Sequence, residues 1–113
     1  MTDVAGDCAG VERVLAVLGR AWAGAVVLAL LGGAERFSDI ARAVPGVTDA
    51  VLSARLKELC ARGLAVREVA PGPPVAVRYR PTDAGRALAP MLREMEAYGR
   101  RYAELVATWP GRS

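Results

Sequence analysis

The chain has 113 residues, enough for one domain with a core, although so small a domain gains from burying surface against a partner. It is 53% hydrophobic and 24% charged with a net charge of +3, a globular balance that excludes a disordered chain. It contains no histidine, which removes the commonest general base and zinc ligand. No Gly-rich phosphate loop takes their place, so no catalysis, metal or cofactor is expected.

Residues 1–10 (MTDVAGDCAG) lack a basic stretch followed by an apolar one, so they predict a flexible arm and no export signal. Val11, Val14, Leu15 and Leu18 recur at helical spacing and predict a first helix ending near Gly19. Residues 22–31 (WAGAVVLALL) are apolar all round, which predicts a helix at the centre of the domain. This run is shorter than the roughly 20 residues that span a bilayer, so no membrane partner is expected. Two cysteines, Cys8 and Cys60, form no disulfide framework, and the expected compartment is the cytoplasm.

Ser38 is placed to cap a short helix (SDIARAV), with Asp39 at its positive end, and Pro45-Gly46 then makes a tight turn. Thr48 caps a longer helix that has Asp49 in its first turn and Gly63 just past its end. Two β-branched runs, residues 64–69 and 75–79, flank APGPP and predict a hairpin with a proline-stiffened tip. Thr82 or Asp83 opens a long helix toward Ala107, kinked or divided at Pro90.

These elements predict a mainly α fold with a small β-hairpin: a winged helix-turn-helix as a single domain over residues 1–113. The helix-turn-helix occupies residues 38–62, the wing 64–80, and the C-terminal dimerisation helix or helices 82–107. The flanking helices carry apolar stripes that a second copy would cover, predicting a two-fold dimer with recognition helices roughly 34 Å apart. Residues 48–80 hold six cations against three carboxylates, so the positive excess begins with the recognition helix.

The stretches VERVLAVLGRAW, RFSDIARAVPGVTDAVLSARLKELCARGL and VRYRPTDAGRAL resemble the HxlR-type winged helix-turn-helix regulators, relatives of the MarR group. The resemblance covers roughly residues 9–100, and TDAG matches the usual T-x-x-G opening of the last helix. It implies a dimeric, cytoplasmic bacterial regulator that binds a palindromic promoter operator in double-stranded DNA. Some members sense electrophiles or oxidants through a cysteine near the N-terminus. The usual cysteine position falls on Ala9, one residue after Cys8. That leaves Cys8 as either a displaced redox sensor or a thiol without a sensing role.

With the core direction set by Leu52, Leu56 and Leu59, the outward positions of the recognition helix are Ala50, Ala54, Lys57 and Ala61, with Ser53 on the flank. The family commonly carries lysine at position 50 and a glutamine-like residue at 54, where this chain has alanine. Near the wing tip, where an arginine is usual, stands Ala76. In one reading the alanines allow close approach to thymine methyls. Thr48, Asp49, Ser53, Arg55 and Lys57 then line the contact, with Ser38, Arg78 and Arg80 along the backbone. In the other, the alanines are simply good helix formers and the arginines solvate a surface. The second reading leads to a winged-helix adaptor that docks a protein and no longer reads DNA. Trp22, Tyr98, Tyr102 and Trp109 are candidates for a dimer seam or the pocket of a small-molecule effector, and Cys60 for a small core residue.

Overall fold

An almost wholly apolar helix, α2 (Ala23–Leu31), organises the packing, with Ala23, Val26, Val27 and Leu30 buried along it. The computed structural model describes residues 4–111, with side chains from Cys8 onward. Preceding α2 is α1 (Val4–Leu18), and following it are α3 (Phe37–Ala43) and α4 (Asp49–Ala61). The hairpin strands β1 (Ala65–Ala70) and β2 (Ala76–Pro81) come next, then α5 (Asp83–Arg86), α6 (Ala89–Arg101) and α7 (Ala103–Val106). No single helix among the described residues is long and apolar enough to cross a membrane.

The core is the meeting of α2 with α3, α4, β1 and α6: Val26, Ile40, Leu52, Leu56, Leu59, Ala65 and Leu92 are all buried. Burying each large aliphatic side chain contributes about 1.5–3 kcal/mol, so the Leu52, Leu56, Leu59 stripe is the principal tie between α4 and the body. The helix-turn-helix turn depends on Gly46, whose φ of 92° lies in the left-handed region. A Cβ there would sit 3.2 Å from the Trp22 ring, so the indole closes over the turn.

The β1–β2 pair is antiparallel, with Ala65 opposite Pro81 and Arg67 opposite Tyr79. Its base is held by Thr82, whose hydroxyl donates to the Gly63 carbonyl at 2.6 Å and accepts from the Gly85 N–H at 3.1 Å. A Cβ on Gly85 would lie 2.1 Å from the Leu64 carbonyl oxygen, so the T-x-x-G motif has a steric reason. The threonine ties the end of α4 to the last helical region, and the glycine lets the two backbones touch.

Three boundaries differ from the sequence expectation. Helix α1 starts at Val4, so the arm expected over residues 1–10 is helical from that point, and residues 1–3 of the arm lie outside the described residues. Ser38 does not cap α3: Arg36 takes the N-cap position and the helix begins at Phe37. The chain is anchored just before it, because the Glu35 carbonyl accepts the Tyr79 N–H at 2.8 Å and ends the extended segment there. The C-terminal helix divides at Ala87–Leu88, with Pro90 in the first turn of α6, where its missing N–H has no cost. It divides again at Tyr102 (φ −113°, ψ 38°).

Candidate nucleic-acid interface

Helix α4 begins with the expected cap: the Thr48 hydroxyl oxygen accepts the Val51 N–H at 3.2 Å, with Asp49 in the first turn. Ala50, Ser53, Ala54, Lys57 and Ala61 are exposed together, opposite the buried leucines. The outward face is therefore low in relief, with Lys57 its one cation.

Arg55 does not belong to that face. Its side chain is 13% exposed and reaches toward Glu58 at 3.9 Å, while Glu58 also lies 3.5 Å from Arg20. At 100° per residue it falls about 60° from Leu52, within the inward sector, which is why it packs instead of projecting. Its Nε is buried with no hydrogen-bond partner. Ser38 is exposed as the second residue of α3.

The two arginines of β2 are engaged. Arg78 donates to Glu35 at 3.0 Å; Arg80 lies 3.9 Å from Glu35 and 3.6 Å from Glu68. The Arg78 hydrogen bond, opposed by burial and aided by the charges of Arg80 and Arg78, holds the Glu35 carboxyl below its ordinary range. Because strand residues alternate, Glu68, Arg78 and Arg80 share one face of the hairpin, and Ala65, Arg67 and Tyr79 share the other. Ala65 is buried, so the second face is the one turned to the body.

There a cleft of about 400 Å³ opens between α4 and the hairpin, lined by Ser53, Lys57, Cys60, Arg67 and Tyr79. Two cations and two hydroxyls meet in it without a carboxylate. Arg67 and Tyr79 were not among the sequence candidates. The available signal was the pairing of Arg67 with Tyr79, two residues along the strand from core-facing Ala65. Cys60 is half-buried at this cleft, and burial pushes its thiol up against the opposing pull of Arg67. Cys8 is exposed on α1.

The aromatic candidates separate. Tyr98 packs on Tyr102 at 4.9 Å and on Trp109 at 6.2 Å between ring centroids, and Arg101 lies over the Tyr102 ring at 5.5 Å. Trp22 caps the start of α2 over Gly46 and lines a cleft of about 500 Å³ with Arg20, Pro110 and Gly111. Met91, Met95, Tyr98, Tyr102, Leu105 and Trp109 are exposed, as are Val11, Val14 and Leu15 on α1.

The HxlR-like helix-turn-helix family description matches residues 17–107. The HTH-type transcriptional regulator YvaP of Bacillus subtilis is 39% identical over 97 residues, covering 86% of this chain and 90% of that protein. YodB, an HTH-type transcriptional regulator of the same organism, is 34% identical over 97 residues, covering 86% and 87%. The redox regulator HypR in its reduced form superposes with a TM-score of 0.80 at 32% identity, covering 88% of this chain and 99% of that one. HypR is also known in an oxidised form, and YodB in quinone-bound and diamide-treated forms.

Proposed function

This chain belongs to the HxlR-like helix-turn-helix family of transcriptional regulators, and from that membership we propose that it acts as a homodimer on a palindromic promoter operator, with α4 in the major groove. The observation that carries the reading is the exposed, low-relief side of α4, capped by Thr48, held from behind by three buried leucines and bordered by a cationic cleft. Such a face lets the helix lie close to base edges, with Ala50 and Ala54 against thymine methyls and Ser53 and Lys57 at the edge of the groove, toward the backbone. Its compartment follows its DNA, the cytoplasm.

Dimerisation is supported by the apolar stripes left uncovered on α1 and α6–α7. Leu15→Glu or Met95→Glu places a charge in that seam and is expected to give a monomer by sedimentation, with operator affinity lost in step.

Regulation by an oxidant or small molecule is supported by HypR and YodB, whose structures span redox and quinone-bound states. On this chain Cys8 is the exposed thiol, and the cleft beside Trp22 is a candidate effector pocket. Diamide treatment followed by peptide mass mapping is expected to modify Cys8 before Cys60. Modification confined to Cys60 would move sensing away from α1.

The deciding experiment is fluorescence-anisotropy binding to a duplex from the protein's own upstream region beside a scrambled duplex. A preference of about a hundredfold supports sequence reading. The alanines of α4 favour one other reading, an adaptor that docks a protein on this helix, which predicts no binding to either duplex at low salt.

A further inference from the structure

Residues 69–77, the whole tip of the wing, carry no charge, so a phosphate contact by the hairpin has to come from its base. At the base, the outer face is already neutralised, with Arg78 and Arg80 sharing Glu35 and Glu68. The inner face is not. Among the described residues Lys57 and Arg67 make no ion pair, and no carboxylate lines the cleft they share.

We infer that the cleft between α4 and the hairpin, lined by Ser53, Lys57, Cys60, Arg67 and Tyr79, seats one phosphodiester of the DNA backbone beside the major groove. The inference rests on the DNA-binding reading above and transfers the wing's backbone contact from Arg78 and Arg80 to Arg67 and Tyr79. A phosphodiester presents two anionic oxygens. The planar guanidinium of Arg67 matches them with a two-pronged donor, Lys57 adds a point charge, and the Ser53 and Tyr79 hydroxyls donate from either side. Lys57 belongs both to the outward stripe of α4 and to the cleft, so an occupant of the cleft is continuous with whatever lies along the helix. Burial pushes the Cys60 thiol up, away from its thiolate form, so it brings no negative charge that would offset the two cations.

The test is anisotropy across a salt series on the upstream duplex and its scrambled counterpart. Arg67→Ala is expected to weaken both roughly tenfold and to lower the salt slope by about one unit. Arg67→Lys keeps the slope and recovers part of the affinity. Tyr79→Phe keeps the slope and loses a few-fold, and Arg78→Ala leaves the slope unchanged. Wild-type affinity and slope in Arg67→Ala, with the parent protein binding normally, overturn the seat and leave the DNA-binding reading intact. No binding by the parent protein overturns both.

Should Arg67→Ala fail to fold, alkylation of Cys60 by iodoacetamide in a Cys8→Ser background supplies the second readout. Saturating duplex is expected to slow that reaction severalfold. An unchanged rate with duplex overturns the seat, and so does slowing by inorganic phosphate with none by duplex, which marks a small-anion site.

Discussion

On the face of the hairpin turned from α4, Arg78 and Arg80 close on Glu35 and Glu68. On the face turned toward α4, Arg67 and Tyr79 stand beside Lys57 with no carboxylate among the lining groups. Both faces come from the same two strands and both carry arginine. The outer set fixes the wing to the chain that enters α3, alongside the backbone bond from Tyr79 to Glu35, and so sets the wing's angle to the body. The inner set has no ion pair among the described residues. The number of arginines in a segment is thus a poor measure of its affinity for a polyanion; what counts is which of them the fold has already matched with an acid.

The harshest way to break this comparison is to loosen the joint on which both faces depend. Leu56→Ala empties a fully buried position where α4 meets the core and is expected to cost about 2–5 kcal/mol in urea unfolding. DNA binding should then fall with the folded fraction and not through a changed salt slope.

A smaller and more selective change is Lys57→Ala, which removes the cation shared by the outward face and the cleft. Affinity for every duplex should drop several-fold with a salt slope lower by about one unit. Stability should stay within about 0.5 kcal/mol, because the side chain is exposed. A loss confined to one sequence would make Lys57 a base reader and remove it from the backbone contact.

Glu35→Gln sharpens the comparison from the other side. With its carboxylate gone, Arg78 and Arg80 lose their shared partner. Non-specific binding should strengthen and its salt slope should steepen by about one unit. An unchanged slope would mean that Glu35 was not what silenced these arginines.

The smallest expected effect is on acid stability. The folded carboxyl of Glu35 is held below its ordinary value, mainly by the Arg78 hydrogen bond. The stabilisation it brings is therefore complete above the unfolded value of about 4.3 and fades as pH falls through the lower folded value. Urea midpoints measured from pH 6 downward should decline over that acidic window, and Glu35→Gln should flatten this part of the decline.

Much of the fold was legible because its signals are local. The leucine stripe of α4, the Thr48 cap, the Pro45-Gly46 turn and the two strands about APGPP each lie within a few residues of the structure they specify. Thr82 was legible as a helix start, but its second bond, to Gly63, was not. Of the proposed interface, the outward set Ala50, Ser53, Ala54 and Lys57 is exposed where helical geometry places it. Arg55 could have been set aside by the same geometry, since it lies within the inward sector. Ser38 lies inside α3 and not at its cap, and the Glu35 to Tyr79 backbone bond that anchors the chain before α3 has no signature in the residues around it.

By itself, then, the sequence determined the order of helices and strands, the buried side of α4 and the presence of a wing, since hydrophobic period, capping side chains and turn residues act over one or two helical turns. Only the tertiary structure decided which cations remain free. Arg78 meets Glu35 across 43 positions of sequence, and Arg67 meets Lys57 only once the hairpin folds back on α4. Charge pairing depends on distance in space, and at that separation along the chain only the packed core sets it.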